Sequence, residues 1–302
     1  MRNFIRNPEK IENTDYHPIH VFSINSIDTN IDTKVVEGFG DEWTKFNTFS
    51  DAEIKSLGMS YFDILDENVI NKDSYIVDFG AGSGRFSKYL SDKVKFIEVL
   101  EPSNAIYEAN NLLGDIQNVR LAKSSVGSAP YDDGSFDFGM SIGVLHHMPD
   151  TLAGLQQCVK KIKYNGWFLV YLYYNLDNRG FLYNSLFSLV NFIRKGISIL
   201  PFGIRNITCE LIALVFYLPV ISFGRILKYF GLKRIARYLP LHYYQDKSFR
   251  IIRNDALDRF GTRIEKRFSK KEIEDMMLKC GLSNIRFSSH EPFWHAVGQK
   301  IQ

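Results

Sequence analysis

A chain of 302 residues, 45% hydrophobic and 24% charged, can bury a large core and exceeds a common single-domain size. Its formal net charge of +3 is close to neutral for this length, which argues against a nucleic-acid partner. Cys158, Cys209 and Cys280 stand without Cys-x-x-Cys spacing or neighbouring histidines, so no zinc or other metal site and no disulfide framework is expected, and a reducing cytoplasm is the simplest compartment.

The N-terminus is polar through Asn13 and has no apolar signal-peptide core, so secretion is not expected. The first thirty-odd residues lack a clear periodicity and read as a loosely packed arm. In Phe39-Gly40-Asp41-Glu42-Trp43-Thr44-Lys45-Phe46 the aromatics fall at helical spacing on one face, the pattern of a helix covering a sheet edge. A helix over 52–68 then leads into the first strand.

The stretch Ser74-Tyr75-Ile76-Val77-Asp78-Phe79 is apolar and β-branched with one acid, as in a strand buried on both faces of a parallel sheet. Gly80, Gly82 and Gly84 follow at alternate positions, with Ala81 and Ser83 between them and Arg85 opening a helix over 85–93. Glycines that tolerate positive φ and lack Cβ let a ligand lie against backbone N–H groups there, which marks a nucleotide-cofactor site. The third glycine comes one residue early for a dinucleotide fingerprint. No Gly-Lys-Ser/Thr closes the turn, which excludes a P-loop. The next strand, 94–100, ends in Glu101-Pro102-Ser103. Glu101 sits where an acid accepts from a ribose diol, Pro102 stops the strand and Ser103 caps a helix over 104–113.

These motifs, with two more downstream, resemble a class I S-adenosylmethionine-dependent methyltransferase. Asp78-Phe79-Gly80-Ala81-Gly82-Ser83-Gly84 is similar to the family's first motif, and Glu101 to its ribose-binding acid. Tyr131-Asp132-Asp133-Gly134-Ser135-Phe136-Asp137 and Ser141-Ile142-Gly143-Val144-Leu145-His146-His147-Met148-Pro149-Asp150 resemble the fourth-strand signature of the branch that methylates small molecules and lipids. Lys161-Ile162-Lys163-Tyr164-Asn165-Gly166-Trp167-Phe168 resembles the following turn and strand, with Trp167 expected at the sheet edge. The resemblance implies a Rossmann-like α/β fold: a seven-stranded, mostly parallel sheet with an antiparallel C-terminal hairpin. It also implies S-adenosyl-L-methionine as cofactor and S-adenosyl-L-homocysteine as product. The cofactor residues it points to are Asp78, Phe79, Gly80, Ala81, Gly82, Gly84, Arg85, Glu101, Pro102, Ser141, Ile142 and Gly143. In relatives that share the Phe-Gly-x-x-Trp-x-x-Phe pattern the resemblance implies an N-terminal lid, which makes Phe39, Trp43 and Phe46 candidates for closing the cofactor pocket against water. Where the family usually carries an adenine-binding Asp after the third strand, this chain has Ser124-Ser125, leaving Ser125 and Val126 to meet adenine.

The residues after the fifth strand are aromatic, leucine-rich and basic, and 206–224 is interrupted by one acid, Glu210. Three readings are open: a helical cap shaping a substrate pocket, a cap that also touches a membrane surface through 180–240, and a transmembrane span at the lower length limit. The expected divisions are an arm and lid (1–50), a cofactor-binding core (51–175), a helical insert (176–254) and a completion of the sheet (255–302). In the last, Ser269 and Glu272 form a capping box for a helix over 270–279 that Gly281 ends, before strands over 283–289 and 293–300.

Methyl transfer needs alignment and, for an oxygen nucleophile, a base. His146 and His147 after the fourth strand, and His242 in the insert, are the candidates; Tyr173 and Tyr174 are expected to line the pocket, and His290 and His295 to be surface residues. The expected activity is methyl transfer to oxygen of a small molecule, a glycosyl unit or a lipid-linked acceptor, in the cytoplasm or at the inner face of a membrane. A non-catalytic S-adenosylmethionine-binding protein is the alternative, favoured by the missing adenine-binding Asp.

Overall fold

The computed structural model describes residues 3–23, 28–45, 49–175, 190, 192–261 and 263–301. The chain divides into two compact units, Met1–Asn178 with Lys266–Gln302, and Arg179–Glu265. The second unit therefore extends about ten residues beyond the expected insert, because 254 and 255 lie inside a helix, Phe249–Gly261.

The first unit is built on one nine-stranded sheet. Its strands are β1 (Lys10–Glu12), β2 (Ile19–Val21), β3 (Tyr75–Phe79), β4 (Phe96–Leu100), β5 (Val119–Lys123), β6 (Phe136–Ile142), β7 (Ile162–Tyr171), β8 (Leu282–Phe287) and β9 (His295–Lys300). They lie in the order β1-β2-β5-β4-β3-β6-β7-β9-β8. From β2 to β7 neighbours run parallel, while β9 pairs antiparallel with both β7 and β8. Every residue of β3 is buried, and successive side chains feed opposite layers: Val77 and Phe79 join one apolar cluster, Ile76 the other. This two-sided burial is why the strand is apolar along its whole length.

The α/β fold and the C-terminal hairpin are as expected, and three local expectations are corrected. The arm is not loose. Its β2 pairs parallel with β5 through Ile19 and Leu121, and Ile19 is fully buried, so the sheet gains two strands. The helix α2 spans Asp51–Tyr61, begun by a Ser50/Glu53 capping box, and ends well before residue 68. The Asp66 carboxylate accepts from the backbone N–H of Asn68 and Val69, giving that segment a turn in place of helix. Trp167 lies on β7, between β6 and β9, and not at the sheet edge. The other helices of this unit are α1 (Thr33–Lys45), α3 (Arg85–Leu90), α4 (Ala105–Leu112), α5 (Thr151–Lys160) and the capped Lys270–Lys279.

The second unit packs Phe249–Gly261 against a 27-residue helical run, Gly203–Tyr229. A π-turn at Ala213–Tyr217 interrupts that run. Cys209, Ala213, Tyr217 and Ile221 meet Ile252, Ala256 and Phe260 in its core. Gln245, also buried, donates from Nε2 to the Ala236 carbonyl at 2.9 Å.

Candidate cofactor-binding and active site

Strands β3, β4 and β5 step outward in one direction, and the chain then returns to lay β6 on the other side of β3. Ligands of open α/β sheets bind outside the strand ends at such a reversal. The glycine turn follows β3 there, and the segment Gly143 to His147 follows β6.

Gly80, Gly82 and Gly84 have φ of 75, 56 and 78°. A Cβ on Gly80 would lie 2.5 Å from Val144 Cγ2, so the residue is glycine for both backbone and space. The Gly80 and Ala81 amides donate to the Leu100 carbonyl at 2.7 and 3.0 Å. The Gly82 amide donates to Glu101 Oε2 at 2.9 Å, while the amide and hydroxyl of Ser103 donate to Oε1 at 2.9 and 2.6 Å. Turn and acid are thus preset as one piece. Pro102, half-buried, separates Glu101 from Ser103. Phe79 and Ala81 point their side chains into the core, which leaves only their backbone for a ligand.

Asp78 is 1% exposed and accepts from the Ser87 hydroxyl at 2.7 Å. Burial, with the nearby Glu101 charge adding to it, pushes its carboxyl up to about 7. A cation beside it would reverse that shift, which suits the ammonium of an amino-acid moiety. Arg85, the first residue of α3, places its guanidinium over the rings of Phe49 and Phe86 at 5.4 and 5.0 Å.

At the end of β6, Ser141 is fully buried and its hydroxyl donates to the Phe79 carbonyl at 3.2 Å, which ties β6 to β3. Ile142 is also buried. Gly143, with φ of 80°, would have nothing within 4 Å of an added Cβ, and this open space adjoins the glycine turn's strand. His146 and His147 are both buried. Burial, with the neighbouring His147 and Arg267 adding to it, holds the His146 imidazole well below its usual range, so it is neutral at physiological pH. Its ring lies 3.9 Å from Tyr173, and the ring of His147 lies 4.8 Å from Phe39 of α1. Tyr171 and Tyr61 stand 5.1 Å apart, and Tyr61 meets Phe86 at 5.0 Å. An aromatic rim therefore runs along these strand ends.

Beyond β5, Val126 is buried, and the Ser124 hydroxyl donates to the Ser128 carbonyl at 2.9 Å. The Ser125 hydroxyl donates to Asp28 Oδ2 at 2.6 Å and accepts from the Ser128 amide at 3.2 Å. A Cβ on Gly127 would fall 2.5 Å from Asp28 Oδ1. An acid from the arm thus stands beside the serine that replaces the expected Asp. The sequence carries no local signal for this, because the two residues are 97 positions apart.

Other expected residues fall elsewhere. His242 opens a turn, His242–Asp246, within the second unit. Tyr174 meets Phe293 at 5.8 Å. His295 is fully buried, a correction to its expected surface position: Nδ1 donates to the Pro292 carbonyl at 2.8 Å and Nε2 meets Asp63 Oδ1 at 2.7 Å. Those partners hold it inside the fold. The side chain of Trp43, and Phe46 entirely, lie outside the described residues.

A family model described as a methyltransferase domain matches residues 77–170. The sarcosine/dimethylglycine N-methyltransferase of Halorhodospira halochloris is 29% identical over 105 residues, which cover 33% of this chain and 38% of that protein. The chain thus spans well under half the length of that curated relative. Among solved structures, a possible histamine N-methyltransferase from Thermotoga maritima aligns with TM-score 0.45 and 14% identity over 87% of this chain and 94% of its own. A phosphoethanolamine N-methyltransferase of Haemonchus contortus, in complex with phosphoethanolamine and S-adenosylhomocysteine, aligns with TM-score 0.37 and 17% identity over 45% of this chain and 32% of its own. The matched segment runs from β3 to β7 and holds the glycine turn, Glu101 and the β6 loop. Residues 77–170 therefore carry a methyltransferase domain.

Proposed function

We propose that this chain transfers a methyl group from S-adenosylmethionine to a small-molecule amine. The cofactor supplies an electrophilic methyl on a sulfonium. The residues around it fit such a ligand: Asp78 would hold the ammonium, the glycine turn would let the backbone approach closely, and Glu101 Oε2 has capacity for a ribose hydroxyl beside its Gly82 bond. Asp28, bonded to Ser125, offers an acid where the family's adenine-binding Asp is missing, which weighs against the non-catalytic reading.

For the acceptor, the observation that carries the reading is the aromatic rim of Tyr61, Tyr171, Tyr173, His147 and Phe39. Ring faces attract cationic and amine groups and exclude the water that would solvate a sulfonium. His146, kept neutral by burial, adds no positive charge beside an amine. The N-methyltransferase activity named for the Halorhodospira relative supports nitrogen over the oxygen acceptor expected from the sequence. His146 and His147 would position the acceptor from the β6 side.

The test is transfer of an isotope-labelled methyl, read by mass spectrometry, with small secondary and tertiary amines set against hydroxyl, glycosyl and lipid-linked acceptors. Product from amines and none from the others is expected. Label appearing on oxygen alone would overturn the choice of atom while leaving the cofactor assignment intact.

A further inference from the structure

We propose that the second unit, Arg179–Glu265, docks on the surface of an anionic lipid bilayer through the outward side of Gly203–Tyr229 and the basic, aromatic stretch that follows it. The run is long and apolar enough to cross a membrane by length and composition, yet only 28% of its most apolar 18-residue stretch is buried. Ile207, Leu211, Val215, Phe216, Phe223 and Ile226 are each more than half exposed. An apolar surface of this extent marks an interaction site.

Charge selects the partner. Residues 179–265 carry fourteen Lys and Arg against five Asp and Glu, a net of +9. With +3 for the whole chain, the remainder carries −6. Two of the five acids are already paired inside the unit, Glu210 with Arg253 and Asp246 with Lys228. Where the long helix ends, Tyr229, Phe230 and Tyr238, exposed by 87, 70 and 85%, alternate with Lys228, Lys233, Arg234 and Arg237. Basic heads beside amphipathic rings match the headgroup layer of an acidic leaflet.

The helix lies in the interface and does not span. Its opposite stripe, Cys209, Ala213, Tyr217 and Ile221, is committed to Ile252 and Ala256 of Phe249–Gly261. Crossing would drag the Glu210–Arg253 pair into hydrocarbon.

The test is flotation of the full chain with vesicles of phosphatidylcholine alone or with added phosphatidylglycerol. Binding only to the acidic vesicles is expected. Lys233→Glu with Arg237→Glu should weaken it more than about tenfold, since each basic residue near the surface is worth about fivefold. Ile207→Ser with Phe216→Ser, both at exposed positions, should weaken it comparably with an unchanged melting temperature. Failure to float with either vesicle overturns the proposal. So does a stable dimer that Phe216→Ser dissolves, or binding to nucleic acid without binding to lipid.

Independently, the geometry points to Asp28 as the acid that meets the adenine amino group; this rests on the cofactor reading above. Ser125 Oγ fixes Asp28 Oδ2 at 2.6 Å, while Oδ1 accepts at 3.3 Å from the Asn30 amide two residues on. Asn30 anchors the arm in turn: its Nδ2 donates to the Asp150 carbonyl at 2.8 Å, and its Oδ1 accepts from the Asp150 amide at 2.7 Å. Calorimetry with S-adenosylhomocysteine and with S-inosylhomocysteine, in which a carbonyl replaces the 6-amino group, tests it. The natural chain should prefer the amino form, and Asp28→Ala should weaken that form by about tenfold or more while leaving the inosyl form nearly unchanged. Equal weakening of both would leave Asp28 a merely structural anchor and overturn the proposal. Binding of neither ligand by the unaltered chain would instead overturn the cofactor reading.

Discussion

The backbone amide of Gly82 donates to Glu101 Oε2 at 2.9 Å, joining the turn after β3 to the acid after β4. Because the same carboxylate also takes both donors of Ser103, replacing it frees three donors at once. Glu101→Ala should weaken S-adenosylhomocysteine binding by about tenfold to a hundredfold, as loss of charge-assisted bonds does. Glu101→Gln, which keeps the shape, should fall between. Titration calorimetry on the folded variants checks the order.

Binding should also depend on pH through Asp78. Its carboxyl is pushed up to about 7 by burial, with Glu101 adding to it. A raised acid is held protonated by the fold, so the unliganded protein loses stability as pH rises from the ordinary carboxylate range through about 7. A bound ammonium has the opposite preference. Affinity for S-adenosylhomocysteine should therefore rise about tenfold per pH unit below 7 and level off above it, with one proton released on binding. Asp78→Asn should flatten the profile. An unchanged slope in that variant would assign the titration to another group.

Gly80→Ala combines a φ of 75° with a Cβ 2.5 Å from Val144. Thermal unfolding should show a loss of about 1–3 kcal/mol, and cofactor binding should fall with it. Gly143→Ala shares the positive φ of 80° but meets nothing within 4 Å, so its effect on stability should be the smaller of the two.

The glycine turn, Glu101 and the Ser269/Glu272 capping box were legible in the sequence because each is set by neighbours in the chain. The strands of the arm were not. At three residues each, β1 and β2 exist only through pairing that ends on β5, about a hundred residues away. Asp28 was hidden for the same reason. His295 looked like a surface residue in a turn-rich segment, and only the fold brings Asp63 to it, 232 positions away. The insert was readable as apolar and basic, whereas the outward placement of Phe216 and Ile207 depends on which stripe the helix Phe249–Gly261 covers.

A buried ion pair joins β4 to β5 inside the sheet. Arg120 donates from Nε and Nη2 to both oxygens of Glu98, at 2.9 and 2.6 Å, and the Tyr131 hydroxyl donates to Glu98 at 3.3 Å. Its guanidinium lies 3.7 Å from the Phe4 ring of the arm. Arg120→Met leaves the fully buried Glu98 without its cation, so chemical denaturation should show a loss of about 3–5 kcal/mol. Pairing it with Glu98→Leu should recover much of that loss, and additive losses in the double variant would argue against the pair acting as a unit.

The account stands most directly on whether the cofactor binds at the glycine turn. Calorimetric titration of the intact chain with S-adenosylmethionine, with NAD as the control, should give saturable one-to-one binding of the first, weakened by Glu101→Ala, and none of the second. No heat with S-adenosylmethionine, or a preference for NAD, would contradict it.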